Sequence, residues 1–167
     1  MGAVSMTATG QKYSILKECF GYGDFRGGQE ELIDAQLSGQ DAFGIMPTGG
    51  GKSLCYQIPA MMMGGVTLVV SPLISLMKDQ VMALKNIGVA AAYINSSLTS
   101  EQIHLVYRNM ALGKYKIIYI APERLLTDGF CRRCPGWRSP CWRWMRPIVS
   151  PSGDRIFVPV ICGLPIF

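Results

Sequence analysis

The segment Met46-Pro47-Thr48-Gly49-Gly50-Gly51-Lys52-Ser53 sets three consecutive glycines ahead of a lysine and a hydroxyl. Without a Cβ in the way, such a backbone can turn its N–H groups toward phosphate oxygens. Lys52 then offers an ammonium to the outer phosphates of a nucleoside triphosphate, and the Ser53 hydroxyl can hold Mg²⁺. The strict form of this loop carries glycine where Met46 stands. Loop chemistry of this kind needs flanking elements to aim it. Residues 41–46 read as a strand leading in, and Lys52 to about Met62 as a helix leading out. The helix N-terminus adds the positive end of a dipole beside the phosphates. Gly-Lys-Ser in strand–loop–helix context favours a phosphate-binding loop over a turn without a ligand.

The chain of 167 residues is long enough for one domain with its own core. It is 49% hydrophobic and 16% charged, which excludes an intrinsically disordered protein. The N-terminus shows no basic stretch followed by an apolar run, so no signal peptide is expected. The 25 residues between Lys52 and Lys78 carry no charge, which raises the question of a membrane span. Gly64-Gly65 and Ser71-Pro72 break that run into a helix end, a strand and a new helix. The expectation is a cytoplasmic protein without membrane contact.

A net charge of +5 suggests a nucleic-acid binder, but its location undercuts that inference. Residues 1–130 hold ten Lys/Arg and ten Asp/Glu; residues 131–167 hold six Arg and one acid, Asp154. The same tail contains all three Trp, six of ten Pro and four of six Cys. Composition breaks at about residue 130, dividing the chain into a domain at 1–130 and a tail at 131–167.

Within 1–130, short helices are expected at Tyr13 to Phe20 and Gln29 to Leu37. Strands are expected at 41–46, 66–70, 89–94 and 115–120. Between them, one helix runs from Pro72 to about Asn86, with Gly88 beyond its end. A second begins after Thr99, which forms a capping box with Gln102. Its apolar residues Ile103, Val106, Tyr107, Met110 and Ala111 recur at helical spacing. Alternating strands and helices with short connections predict an α/β fold, a parallel sheet covered on both faces.

The ordered blocks resemble the front part of a RecQ-type DNA helicase, a superfamily-2 motor. They are Phe20-Gly21-Tyr22 with Phe25-Arg26-Gly27-Gly28-Gln29, the phosphate loop, Ser71-Pro72-Leu73-Ile74-Ser75-Leu76-Met77-Lys78-Asp79-Gln80, and Ala121-Pro122-Glu123-Arg124-Leu125. The resemblance covers about 120 residues, and in that family Met commonly stands at the Met46 position. Gly27 departs from the usual Pro. The resemblance implies an incomplete RecA-like sheet, ATP and Mg²⁺ as cofactors, and single-stranded or partially duplex DNA as partner, unwound 3′ to 5′. Nucleotide contacts are expected from Tyr22, Arg26, Gln29, Thr48, Gly49, Gly50, Gly51, Lys52 and Ser53. Gln29 would read the adenine edge, since a carboxamide sets a donor beside an acceptor, while Tyr22 and Arg26 pack on the base. DNA contacts are expected from Ser71, Ser75, Lys78, Asp79, Gln80, Pro122, Glu123 and Arg124. The alternative for the Ser71–Gln80 block is an amphipathic helix with Leu73, Leu76 and Met77 in the core, and both can hold together.

ATP hydrolysis needs a carboxylate for Mg²⁺ and another to orient water. The family supplies both in an Asp-Glu-Ala-His box on the next strand, but residues 131–167 contain no Asp-Glu pair. The second motor domain with its arginine finger, and the zinc-binding and winged-helix regions, are likewise expected to be missing. Codon arithmetic suggests why. Trp144-Met145 must be encoded TGGATG, and reading from the last G of TGG gives GAT, Asp. With AGG, CCC, ATT and GTA for Arg146 to Val149, that frame continues Glu-Ala-His. Permitted codons for Ser150 to Val160 extend it as Cys-Ile-Ser-Gln-Trp-Gly-Gln-Asp-Phe-Arg-Pro, the family's sequence after its box. Residues from about 131 are therefore expected to be a frameshifted, disordered tail that joins no native sheet.

On that footing Cys131-Arg132-Arg133-Cys134, with Cys141, reads as an accident of frame and not half a zinc site, because no fourth ligand stands at suitable spacing. His104, the single histidine, is expected to be structural. Three classes compete: a helicase by ancestry that is inactive as it stands, a non-catalytic nucleotide-binding or interaction module, and another phosphate-loop enzyme such as a small kinase. Gln29 upstream of the loop and the Ser71–Gln80 block speak against the kinase.

Overall fold

The computed structural model describes residues 8–47, 49–125, 127–133 and 155–156. The elements run α1 (Ala8–Phe20), α2 (Gln29–Leu37), β1 (Gly44–Ile45), α3 (Leu54–Met62), β2 (Thr67–Val70), α4 (Ile74–Asn86), β3 (Ala91–Ile94), α5 (Ser100–Ala111), β4 (Ile117–Ile120), α6 (Pro122–Leu125), α7 (Asp128–Arg133) and β5 (Arg155–Ile156). Strands β2, β4 and β3 form a parallel sheet in that order, with Val70 and Ile94 both in register with Ile120. This is an α/β fold, a partial RecA-like phosphate-loop domain.

Both faces of this sheet are covered, which is why β2 and β4 are buried at every residue and read as continuous apolar runs. Successive side chains point to opposite faces. Leu68, Val70, Ile118 and Ile120 pack with Tyr107 and Met110 of α5 and with Phe130 of α7. Val69, Ile117 and Tyr119 pack with Tyr56 and Ala60 of α3 and with Met77, Val81 and Leu84 of α4. Burying each such side chain contributes about 1.5–3 kcal/mol. A third cluster, Leu16, Ile33, Leu54 and Ile58, joins α1 and α2 to α3.

Helix α2 has the expected bounds, and α5 starts as its capping box requires. Thr99 Oγ1 accepts from the Gln102 N–H at 3.3 Å, and Gln102 Oε1 accepts from the Thr99 N–H at 2.9 Å. Ala111, expected on the apolar face of α5, is exposed. Helix α3 contains Pro59, which lacks the N–H that would bond the Cys55 carbonyl one turn back. Gln36 of α2 supplies the missing donor: its Nε2 lies 2.9 Å from Cys55 O and 3.0 Å from Leu32 O. A helix defect thereby becomes a fastening between two helices.

Three expectations need correction. Helix α4 starts at Ile74 and not Pro72. Of its three expected core residues only Met77 is buried; Leu73 and Leu76 are exposed, because the helix rolls Met77, Val81 and Leu84 onto the sheet. The phosphate-loop strand, expected at 41–46 within the parallel sheet, is only Gly44–Ile45 and lies outside it. It pairs antiparallel with Arg155–Ile156 of the tail, Gly44 opposite Ile156. Two tail residues thus join a strand pairing where none was expected, in a two-stranded ribbon separate from the parallel sheet. A strand edge offers unpaired N–H and C=O groups to any extended segment that reaches it, which accounts for so short a pairing. Residues 134–154 and 157–167, including Cys134, Cys141 and the region of the shifted-frame box, lie outside the described residues.

Candidate nucleotide and nucleic-acid site

The phosphate loop links β1 to α3 through two left-handed glycines, Gly49 at φ +80° and Gly51 at φ +71°. Gly50 N–H donates to Pro47 O at 3.0 Å, closing the turn, and a Cβ on Gly50 would come within 2.9 Å of that carbonyl. Helix α3 begins at Leu54, two residues later than expected, with Ser53 at its N-cap making no side-chain capping bond. The Ser53 hydroxyl therefore stands at the helix start without serving the helix. Thr48 lies outside the described residues.

The block before α2 docks directly onto this loop. Gln29 is buried, its Oε1 accepting from the Arg26 N–H at 2.8 Å. Its Nε2 donates to Gly50 O at 3.0 Å and Gly51 O at 3.2 Å. The Arg26 guanidinium donates to Gly49 O at 3.0 Å. The amide expected to read a base edge is thus engaged with the loop backbone, and Arg26, expected to pack on a base, holds the loop as well. Both donors thus meet carbonyls of the glycine loop. An open pocket of ≈ 320 Å³ lies where the two segments meet, lined by Arg26, Gly27, Ile45, Met46, Pro47, Gly49 and Gly50. Tyr22 is 48% exposed. Lys52 lines a separate small cavity of ≈ 30 Å³ with Gln36, Gly44 and Tyr56.

The Ser71–Gln80 and Pro122–Arg124 segments follow adjacent parallel strands and leave the sheet at the same end. The Ser71 N–H donates to Ile120 O at 3.1 Å, and the Ala121 N–H to Ile94 O at 2.9 Å. Ser75, Lys78, Asp79 and Glu123 are exposed; Ser71, Gln80, Pro122 and Arg124 are half-buried. Gln80 is turned inward, its Oε1 accepting from Gln57 Nε2 at 2.8 Å. Sequence reasoning missed Gln57, Gln36 and Asn95. Asn95 is fully buried after β3 at this same end, where its Oδ1 accepts from the Ser97 N–H and hydroxyl. A polar residue inside an apolar run was the available signal for Gln57. His104 is exposed on α5.

Residues 26–137, more than half of the chain, match the DEAD/DEAH box helicase family. The chain belongs to that family. As a DEAD/DEAH box helicase sequence it is 55% identical over 117 residues to the ATP-dependent DNA helicase RecQ of Haemophilus influenzae, covering 70% of this chain and 19% of the relative. It is 52% identical over 124 residues to the ATP-dependent DNA helicase RecQ of Bacillus subtilis, covering 74% and 21%. Against the RecQ-like DNA helicase blm-1 of Caenorhabditis elegans the identity is 38% over 131 residues, covering 77% and 13%. The chain thus spans about a fifth of the length of its bacterial relatives. DEAD/DEAH box helicases use ATP. The left-handed glycines and the uncapped Ser53 hydroxyl are groups that a phosphate chain and Mg²⁺ would require. Among the described residues no group of three His, Cys, Asp or Glu could hold a metal ion without the nucleotide. Among them, too, no helix is long and apolar enough to cross a membrane.

The Gln29 block is joined to α1 by a charged clasp between α1 and α2. Lys12 Nζ, on a buried side chain, lies 2.9 Å from Glu30 Oε1 and 2.5 Å from Asp34 Oδ1, and Tyr13 OH donates to Glu30 Oε1 at 3.0 Å. Burial alone would lower the Lys12 pKa, but the bonds and charges of Asp34 and Glu30 outweigh it and raise the value. Hydrogen bonds from Lys12 and then Tyr13 lower the Glu30 pKa. The bond to Glu30, followed by burial, raises that of Tyr13. Glu30 therefore stabilises the fold above the ordinary carboxylate range, and that contribution is lost as pH falls through its lower folded pKa. Lys12 and Tyr13 contribute below their ordinary values, and lose this as pH rises through their raised ones. The thermal midpoint of Lys12→Met should fall furthest below the parent between about pH 5 and pH 10, and the gap should narrow toward both extremes. A gap independent of pH would show that the clasp acts through packing alone.

Proposed function

We propose that this chain is the front part of the first motor domain of a RecQ-type ATP-dependent DNA helicase, and that it binds ATP and DNA without turning ATP over. Residues 131–167 are read as an out-of-frame tail in place of the strand and Asp-Glu-Ala-His box that hydrolysis requires. In this reading Gly49 to Ser53 hold the triphosphate, Ser53 would supply one ligand to Mg²⁺, and the Tyr22, Arg26 and Gln29 block borders the base. Gln29 would turn its Oε1 toward the adenine edge while its Nε2 keeps the Gly50 and Gly51 carbonyls. When bound, Mg²⁺ neutralises phosphate charge, and the chain's own part is to grip and orient. Ser71, Ser75, Lys78 and Arg124 would meet the backbone of single-stranded DNA, and the molecule would be cytoplasmic.

One observation carries the reading. Both DNA-facing segments leave the carboxyl end of the parallel sheet side by side, the end at which ligands bind open α/β sheets. Lys78→Ala and Arg124→Ala should each weaken binding of a labelled oligothymidine. Each should also reduce the slope of log affinity against log salt by roughly 0.7. Unchanged slopes in both variants would place the DNA elsewhere.

A further inference from the structure

Helix α3, which starts at the phosphate loop, carries a buried polar group that its apolar surroundings do not require. Gln57 sits one turn beyond Ser53 and is 4% exposed. Its Nε2 donates twice: to Gln80 Oε1 on α4 at 2.8 Å, and to the Tyr119 hydroxyl on β4 at 3.2 Å. That hydroxyl is also 3.2 Å from the hydroxyl of Tyr56, Gln57's neighbour on α3, and the two rings meet edge to face. Burial in this cluster raises the pKa of both phenols, so they stay neutral and act as hydrogen-bonding groups. Gln80 closes the Ser71–Gln80 segment, and Tyr119 precedes Pro122-Glu123-Arg124 by three residues. One amide therefore joins the loop helix to the Ser71–Gln80 segment and to the strand that leads into Pro122-Glu123-Arg124.

We propose that Gln57, acting with Tyr119, is a positioning residue that couples occupancy of the phosphate loop to the spacing of the two DNA-facing segments. The inference rests on the helicase reading above and deepens it. A phosphate chain in the loop fixes the first turn of α3 and hence Gln57. Gln57 has a single amide nitrogen, so it can satisfy Gln80 and Tyr119 together only when α4 and β4 keep one separation. Tyr119 is 2% exposed, so a bond lost there is not readily replaced from bulk solvent. Under this scheme Gln80 serves geometry and leaves the DNA to its exposed neighbours.

Coupling between two sites is reciprocal and measurable as the factor by which one ligand changes affinity for the other. The full chain is titrated with labelled oligothymidine with and without a non-hydrolysable ATP analogue and Mg²⁺, and with the analogue with and without oligothymidine. The parent should show mutual tightening of roughly fivefold or more. Gln57→Met and Tyr119→Phe keep side-chain bulk, so each should bind either ligand alone within about twofold of the parent while the mutual factor falls toward one. A parent-like factor in both variants overturns the proposal. A parent that binds both ligands with no mutual effect overturns it too and leaves the binding reading standing. A parent that binds neither ligand overturns both.

Discussion

Restoring one base to the reading frame ahead of residue 131 should convert a chain with background ATP turnover into one that hydrolyses ATP when single-stranded DNA is present. The phosphate loop grips the triphosphate, but phosphoryl transfer is accelerated by charge placed around the moving phosphoryl and by an oriented water. Residues 131–167 contain no Asp-Glu pair to supply either. The frame beginning at the last base of the Trp144 codon opens with Asp and, with AGG, CCC and ATT for Arg146 to Ile148, continues Glu-Ala-His; in the family the strand leading into that box is central. Here the corresponding stretch, 135–144, holds Pro135 and Pro140, which cannot donate to a ladder, and arginines that could not be buried unpaired. The restored product, carrying the downstream motor sequence, should exceed the present chain by at least about 10³-fold in DNA-stimulated rate, the usual worth of an arginine finger alone. DNA-stimulated turnover by the chain as it stands, abolished by Lys52→Ala, would overturn the frameshift reading.

The second large effect lies in the loop. Gly51→Ala should weaken ATP binding on the order of 100-fold, well beyond Gly49→Ala. Both glycines have positive φ, where a side chain costs about 1–2 kcal/mol. Only at Gly51 does an added Cβ meet a neighbour, 2.5 Å from Gln29 Nε2, whereas Gly49 faces open space within 4 Å. Gly51→Ala therefore also displaces the buried Gln29 amide from the Gly50 and Gly51 carbonyls, costing about a further 1–3 kcal/mol. Together these are roughly 3 kcal/mol, about two decades in affinity. Equal losses in the two variants would mean that the Gln29 clamp does not shape the loop.

What the sequence revealed follows from which signals are local. The capping box at Thr99 and the span of α2 were legible because capping and helical spacing involve residues within a few positions of each other. The positions of strands β2, β3 and β4 along the chain were legible because buried parallel strands read as apolar runs, whereas their order in the sheet, β2-β4-β3, was not. Strand β1 was misjudged because pairing depends on a distant partner, which turned out to be Arg155–Ile156. Leu73 and Leu76 were misplaced because periodicity identifies an apolar face and not what covers it. The roles of Gln29, Gln36 and Gln57 were hidden for a related reason. A glutamine declares hydrogen-bonding capacity but not its partner, and each partner here is supplied by tertiary structure.

The central claim is that residues 1–130 carry a working nucleotide grip even though the motor is incomplete. Calorimetric titration of ATP with Mg²⁺ into the full chain and into Lys52→Ala tests it most directly. Lys52 is half-exposed at the loop and belongs to none of the three core clusters, so its removal should leave the thermal midpoint near the parent's. The account predicts one bound ATP in the parent and at least about tenfold weaker binding in the variant, the scale of one charge-assisted contact to phosphate. Equal ATP affinity in the two folded proteins would contradict it.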